Sequence, residues 1–130
     1  MTSRIVLAAV CAVLAIHGLI HLLGTVVYLR LADIDGFAFK TTLLAGRVDV
    51  GELGIRLFGA LWIVPAAGFL ISAAGLWFGW WGWLPIVVVS TIVSLLLTTA
   101  DWSVAFAGAI TDVAIIILLL VVSRTVRLMW

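Results

Sequence analysis

His17 and His21 stand four residues apart inside one apolar run, so a helix there carries both imidazoles on one face; Asp112 lies in a second apolar run far along the chain. An ionisable side chain in hydrocarbon costs about 2.5–3.5 kcal/mol on insertion scales, so each of the three needs a partner or a purpose. Histidine titrates near neutrality, and a carboxylate can fix its tautomer, which is the equipment of general acid–base catalysis. The same residues allow other chemistry. Two histidines at i,i+4 plus a carboxylate from another helix offer three metal ligands and an open position, and one of the histidines could serve as an axial haem ligand. A His–Asp relay could pass protons, and a His–Asp pair could also do no more than hold helices together. No cofactor is identified by these residues.

The elements that position them are set by composition. Of the 130 residues 66% are hydrophobic and 10% charged, with a mean hydropathy of +1.40. A helix needs about 20 mostly apolar residues to cross the hydrocarbon core, and nearly the whole length is spent on such runs, which leaves no room for a soluble domain. The net charge of +1 and the scattered basic residues set nucleic acid aside as a partner. Cys11, the single cysteine, cannot form an internal disulfide and reads as a small buried hydrophobe. Arg4 ahead of an apolar run imitates a signal peptide, but the run continues past any h-region length, so a retained helix is expected.

Arg4 and Arg30 bracket a first span over residues 5–29, and Arg56 opens a second that runs to about Phe78, with Pro65 as a kink. The turn Gly79-Trp80-Trp81-Gly82-Trp83 leads into a third span ending near Thr99, with Pro85 in its first turn. Asp101 or Ser103 caps a fourth, over residues 102–122, followed by a short basic tail with Arg124 and Arg127. The expectation is an all-α, four-helix transmembrane bundle forming a single domain over residues 1–130, with both termini on one face. Residues 31–54 hold Asp33, Asp35, Lys40, Arg47, Asp49 and Glu52 beside Phe37, Phe39, Leu43 and Leu44. They read as a short amphipathic or re-entrant segment over the loop-side mouth. Asp101, Glu52 and Arg56 are expected at the rim. The expected location is a bacterial cytoplasmic membrane, as a multi-pass protein with cytoplasmic termini.

Depth follows from the rise of 1.5 Å per residue. His21 lies roughly 12 Å below the loop-side end of its helix and Asp112 roughly 15 Å below the start of its own, so the two share a layer and are expected to touch directly or through one water. Trp62 and Ser90 or Ser94 fall near that depth; Ser90, Ser94 and Thr98 share a face, and Tyr28 continues the histidine stripe past Gly24. Ala105, Gly108, Ala109 and Asp112 make a small-residue face suited to close packing. The candidate catalytic residues are therefore His17, His21 and Asp112. Tyr28, Trp62, Ser90, Ser94 and Trp102 are candidates to line a site for a lipophilic small molecule.

The segment His17-Gly18-Leu19-Ile20-His21-Leu22-Leu23-Gly24 resembles a family of small four-helix bacterial membrane proteins with an H-G-x-x-H-L-x-G motif in the first helix. In that family the fourth helix resembles W-x-x-A-x-x-G-x-x-x-N, and Trp102, Ala105, Gly108 and Asp112 fall on the pattern, with aspartate in place of asparagine. The resemblance implies the fold and the pairing of the two motifs; it implies no activity. The leading expectation is an intramembrane His/Asp site for a lipophilic small molecule, working by acid–base chemistry. The alternatives are a metal or haem protein, a proton-coupled transporter or channel formed as a homo-oligomer, and an accessory subunit without chemistry.

Overall fold

The computed structural model describes residues 2–127. Its elements are helix α1 (Thr2–Tyr28), strands β1 (Thr42–Leu43) and β2 (Val48–Asp49), and helices α2 (Gly51–Leu61), α3 (Ile63–Trp77), α4 (Trp83–Ala100) and α5 (Trp102–Arg127). Among the described residues four stretches are long and apolar enough to cross a membrane: Ser3–Tyr28, Gly51–Trp77, Trp83–Ala100 and Trp102–Val121. Four crossings return the chain to the face from which it started. Helix α5 runs on through residues 123–127, read above as a tail; the side chains beyond Val121 lie outside the described residues.

With lipid as solvent the usual partition is inverted. Ile16, Leu19, Ile92, Leu96, Ile110 and Ile117 face outwards, while His17, His21, Thr25, Ser90, Ser94, Thr98 and Asp112 are buried. Polar side chains go inside because only there can they find hydrogen-bond partners.

The second span is made of two helices. Pro65 has no N–H to give to the carbonyl of Leu61, so the helical ladder is interrupted at Trp62 and resumes with Ile63. The break falls at the residue whose indole enters the centre of the bundle, only 3% exposed. Gly24 on α1 makes the room: a Cβ there would stand 2.6 Å from Cδ2 of that indole. The Thr25 hydroxyl donates to the carbonyl of Gly59 (2.8 Å), which ties α1 to α2 beside it.

Helix α1 packs along α2 and α3, α3 along α4, and α4 along α5. Helix α1 meets α4 and α5 through side chains, His21 with Ser94 and His17 with Asp112. Two apolar clusters fill the interior. Val27, Tyr28, Ile55, Phe58, Trp62 and Leu97 form one towards the loop side; Leu14, Phe69, Ala73, Val87 and Ile115 form the other towards the termini.

Residues 31–50 form a strap over the loop-side mouth. Helix α1 stops in a Schellman-type turn, with Arg30 at φ 54 and Leu31 N–H donating to the carbonyl of Val26 (2.8 Å). The strap is built around a small antiparallel hairpin pairing Thr42 with Asp49 and Leu43 with Val48. Its turn places Leu44, Ala45 and Gly46 at positive φ, and of the three only the glycine is a sequence signal for such a turn. The Leu44 N–H donates to the carbonyl of Ala100 (2.8 Å), Leu43 is buried, and Phe37 and Phe39 pack on the loop-side cluster. The glycines at 51 and 54 belong to the first turn of α2, so the strap ends earlier than the charge pattern suggested.

Candidate functional site

Four buried side chains from three helices form one hydrogen-bonded chain between the two apolar clusters. His17 Nε2 lies 2.8 Å from Asp112 Oδ1. The Ser94 hydroxyl lies 2.6 Å from Asp112 Oδ2 and 2.5 Å from His21 Nε2. His21 Nδ1 lies 2.9 Å from the carbonyl of His17, one turn back on the same helix. Asp112 has no exposure, and His21 is 1% exposed. Each residue is placed by its helix. The i,i+4 spacing stacks the two imidazoles edge-on at 4.5 Å between centroids. The small face of α5 lets Asp112 approach, since a Cβ on Gly108 would stand 2.9 Å from Thr98 Cγ2.

The expected contact between His21 and Asp112 takes a different form. His17 is the direct partner of the carboxyl, and the Ser94 hydroxyl stands where a bridging water was expected between Asp112 and His21. Both histidines are committed to the same carboxyl, one directly and one through a hydroxyl.

The protons of this chain can be counted. It has four links: His21 Nδ1 to carbonyl, His21 Nε2 to Ser94, Ser94 to Asp112, and Asp112 to His17. Each link needs one proton. Two neutral imidazoles, one hydroxyl and one carboxylate bring three. Filling every link therefore requires at least one more, held either as an imidazolium at His21 with Asp112 ionised or as a carboxylic acid at Asp112. In the first case Ser94 donates to Asp112 and accepts from His21; in the second it donates to His21 and accepts from Asp112. The two forms differ by the shift of two protons along Ser94, and both are neutral overall, which suits a site in hydrocarbon. Removing the fourth proton breaks a link and leaves a net negative charge.

The remaining candidates take separate places. Trp62 packs on His21 with 5.3 Å between ring centroids and on Phe58 at 5.9 Å. Its indole N–H is buried without a protein partner, a state shared among the described residues only by the hydroxyl of Ser72. Such an orphan costs about 1–3 kcal/mol. Ser90 is buried one turn below Ser94 and packs against Gly68, where an added Cβ would stand 2.9 Å from its own Cβ. Trp102 stays outside the site: it is half exposed on the outer surface and rests on Phe106. As the first residue of α5 it could face either way, and the turn after Asp101 sends it towards lipid.

Tyr28 belongs to a second polar cluster that sequence reasoning did not assemble. Its hydroxyl donates to Asp101 Oδ2 in a very short bond, and Lys40 Nζ on the strap lies 2.5 Å from Asp101 Oδ1 and 3.2 Å from Ser103 Oγ. The Asp101 carboxylate has no exposure, so the residue expected at the rim is enclosed beneath the strap. Glu52 and Arg56 do sit at the exposed rim, 2.9 Å apart. The two clusters are linked by register. His21–Ser94 and Tyr28–Asp101 both join residues 73 apart, and both lie between α1 and α4, whose parallel courses carry them from one level to the next.

Among the described residues no three His, Cys, Asp or Glu side chains gather as a set that could hold a metal ion. Three of the four imidazole nitrogens of the layer are taken by Asp112, Ser94 and a carbonyl. No known protein family, curated protein or solved structure matches this chain.

Proposed function

We propose that this multi-pass protein is an intramembrane acid–base centre that acts on a lipophilic small molecule, with His17, His21, Ser94 and Asp112 as its proton-handling groups. The observation that carries the reading is the four-link chain, whose complete hydrogen bonding calls for one additional proton. A group that can give up or regain one proton, buried among apolar walls, is what protonation or deprotonation of a molecule dissolved in lipid requires. His17 and Asp112 meet between α1 and α5, where the surface of α5 is thinned to Ala105, Gly108 and Ala109, and a lipophilic molecule would approach from that side. His21 and Asp112 exchange the proton through Ser94, and His17 holds the carboxyl in place. In the family that the motifs resemble, asparagine at this position would fill the same links with no exchangeable proton, so the chemistry is assigned to this chain's aspartate.

The test is native mass spectrometry of the protein released from lipid nanodiscs, with the lipophilic species that remain bound identified. The wild type is expected to retain a specific non-phospholipid species that Asp112→Asn and His21→Ala do not retain, while all three proteins insert and fold. An identical set of bound species in the wild type and both variants would overturn the proposal.

A further inference from the structure

An acid–base centre in hydrocarbon must exchange its proton with water, and the geometry points to one route. We infer that Lys40, Asp101 and Tyr28 form a proton port on the strap side, joined to the centre through Thr98 and shut by Trp62. The inference rests on the reading of the inner layer as an acid–base centre.

The strap side carries the exposed end of this cluster. A cavity of about 470 Å³ lies between the end of α1 and the strap, lined by Val27, Arg30, Asp33, Ile34, Phe37 and Phe39. Phe37 stands edge-on to Tyr28 at 5.4 Å between centroids. Lys40 is a quarter exposed, while the Asp101 carboxylate it holds is fully enclosed, so the cluster spans from water to interior. Three positions earlier on α4, roughly one turn, is Thr98. Its hydroxyl donates to the carbonyl of Ser94 (2.9 Å) and lies 3.4 Å from Asp112 Oδ2. Ser94, Thr98 and Asp101 thus follow one another along α4 and its C-cap, from the level of one carboxyl to the other.

Trp62 stands between the levels. Its ring meets His21 of the inner cluster, and Phe58 packs on both Trp62 and Tyr28 of the outer one. The indole N–H makes no protein hydrogen bond, so moving the ring aside breaks none. The helical break at Trp62 supplies a place for the backbone to yield. When the ring swings, a proton from water is taken up at Asp101, and intervening water carries it past Thr98 to Asp112. The charge gained at the centre is the charge lost by the hydronium outside. The titratable groups facing the centre are His17 and His21 from α1 and Asp112 from α5; α4 contributes Ser94 and Thr98, and α2 and α3 contribute Trp62 and Phe69.

The experiment is a pH jump on the full chain in nanodiscs, with the carboxyl absorption of Asp112 followed by time-resolved infrared spectroscopy. Asp101→Asn, which keeps an acceptor for Tyr28, is expected to slow equilibration about 10²-fold, the lower range for loss of a positioned acid–base group. The end state should be unchanged. Thr98→Val keeps the side-chain shape and is expected to slow it likewise, and Trp62→Leu is expected to accelerate it. Equal rates in the wild type and all three variants would overturn the port and leave the centre standing. A wild-type centre that takes up no proton at any pH would overturn both.

Discussion

Replacing Asp112 by asparagine is expected to leave the bundle folded, with a melting temperature at or above that of the wild type, and to remove its acid–base chemistry. The proton count gives the reason. An asparagine oxygen accepts from His17 Nε2, its amide N–H donates to Ser94, and the Ser94 hydroxyl is then free to donate to His21 Nε2. All four links are filled with no additional proton, so the variant is a permanent copy of the protonated layer. The second amide N–H has Thr98 Oγ1 as its acceptor, 3.4 Å from the corresponding oxygen of Asp112, so folding should suffer little. Loss of a positioned general acid or base lowers rates by about 10²–10⁴-fold, and that range is expected for turnover of the lipophilic substrate once it is in hand. Thermal unfolding in detergent, measured across pH, supplies the readout available now. The wild type should lose stability where the layer gives up its proton, and Asp112→Asn should show no such step.

A second large effect is expected from Asp101→Ala. The carboxylate is enclosed and holds both the Tyr28 hydroxyl and the Lys40 ammonium. Removing it leaves the phenol buried without a partner and frees the Lys40 side chain, which ties the strap to the ends of α4 and α5. Breaking a buried pair from one side costs about 3–5 kcal/mol. The Lys40 head is partly exposed and can return to water, so the lower half of that range is expected. The strap should then detach from the mouth, although Leu44 keeps its bond to Ala100. Limited proteolysis should find new cleavage within residues 31–50, accompanied by a lower melting temperature. Glu52→Ala, which breaks only the exposed pairs with Arg56 and Arg30, is the comparison and should change stability by less than about 1 kcal/mol.

Much of this site was legible before any coordinates, because in lipid the burial of polar groups follows from cost alone. The runs of apolar residues marked four spans, helical rise put His21 and Asp112 at one depth, and the i,i+4 spacing put both histidines on one face. Trp62 and Ser94 came from the same counting. The selection of Ser94 over Ser90 did not, since both share a helical face and only the crossing of α1 with α4 decides which one reaches His21. Trp102 was misdirected by its place at a helix start, where no periodicity yet fixes a facing direction. Asp101 was read as a helix cap, whereas its carboxylate is a buried acid bonded to Tyr28 and Lys40. Its carboxylate is held by Lys40, which comes from a strap whose turn places leucine and alanine at positive φ ahead of a single glycine, Gly46. A contact contributed by such a segment leaves no periodic trace, and the mouth cluster was hidden for that reason.

The most direct measurement of the central claim is a proton inventory of the layer in bilayers. Solid-state nitrogen NMR of labelled histidine and infrared detection of the Asp112 carboxyl would be recorded on the same samples from acid to alkaline pH. The account expects one proton beyond two neutral imidazoles and a carboxylate. It expects that proton to be lost in a single step that changes the histidine and carboxyl signals together, and to be absent from Asp112→Asn. Two neutral histidines beside an ionised Asp112 at every pH at which the protein stays folded would contradict it, and would leave the layer as a lock between helices.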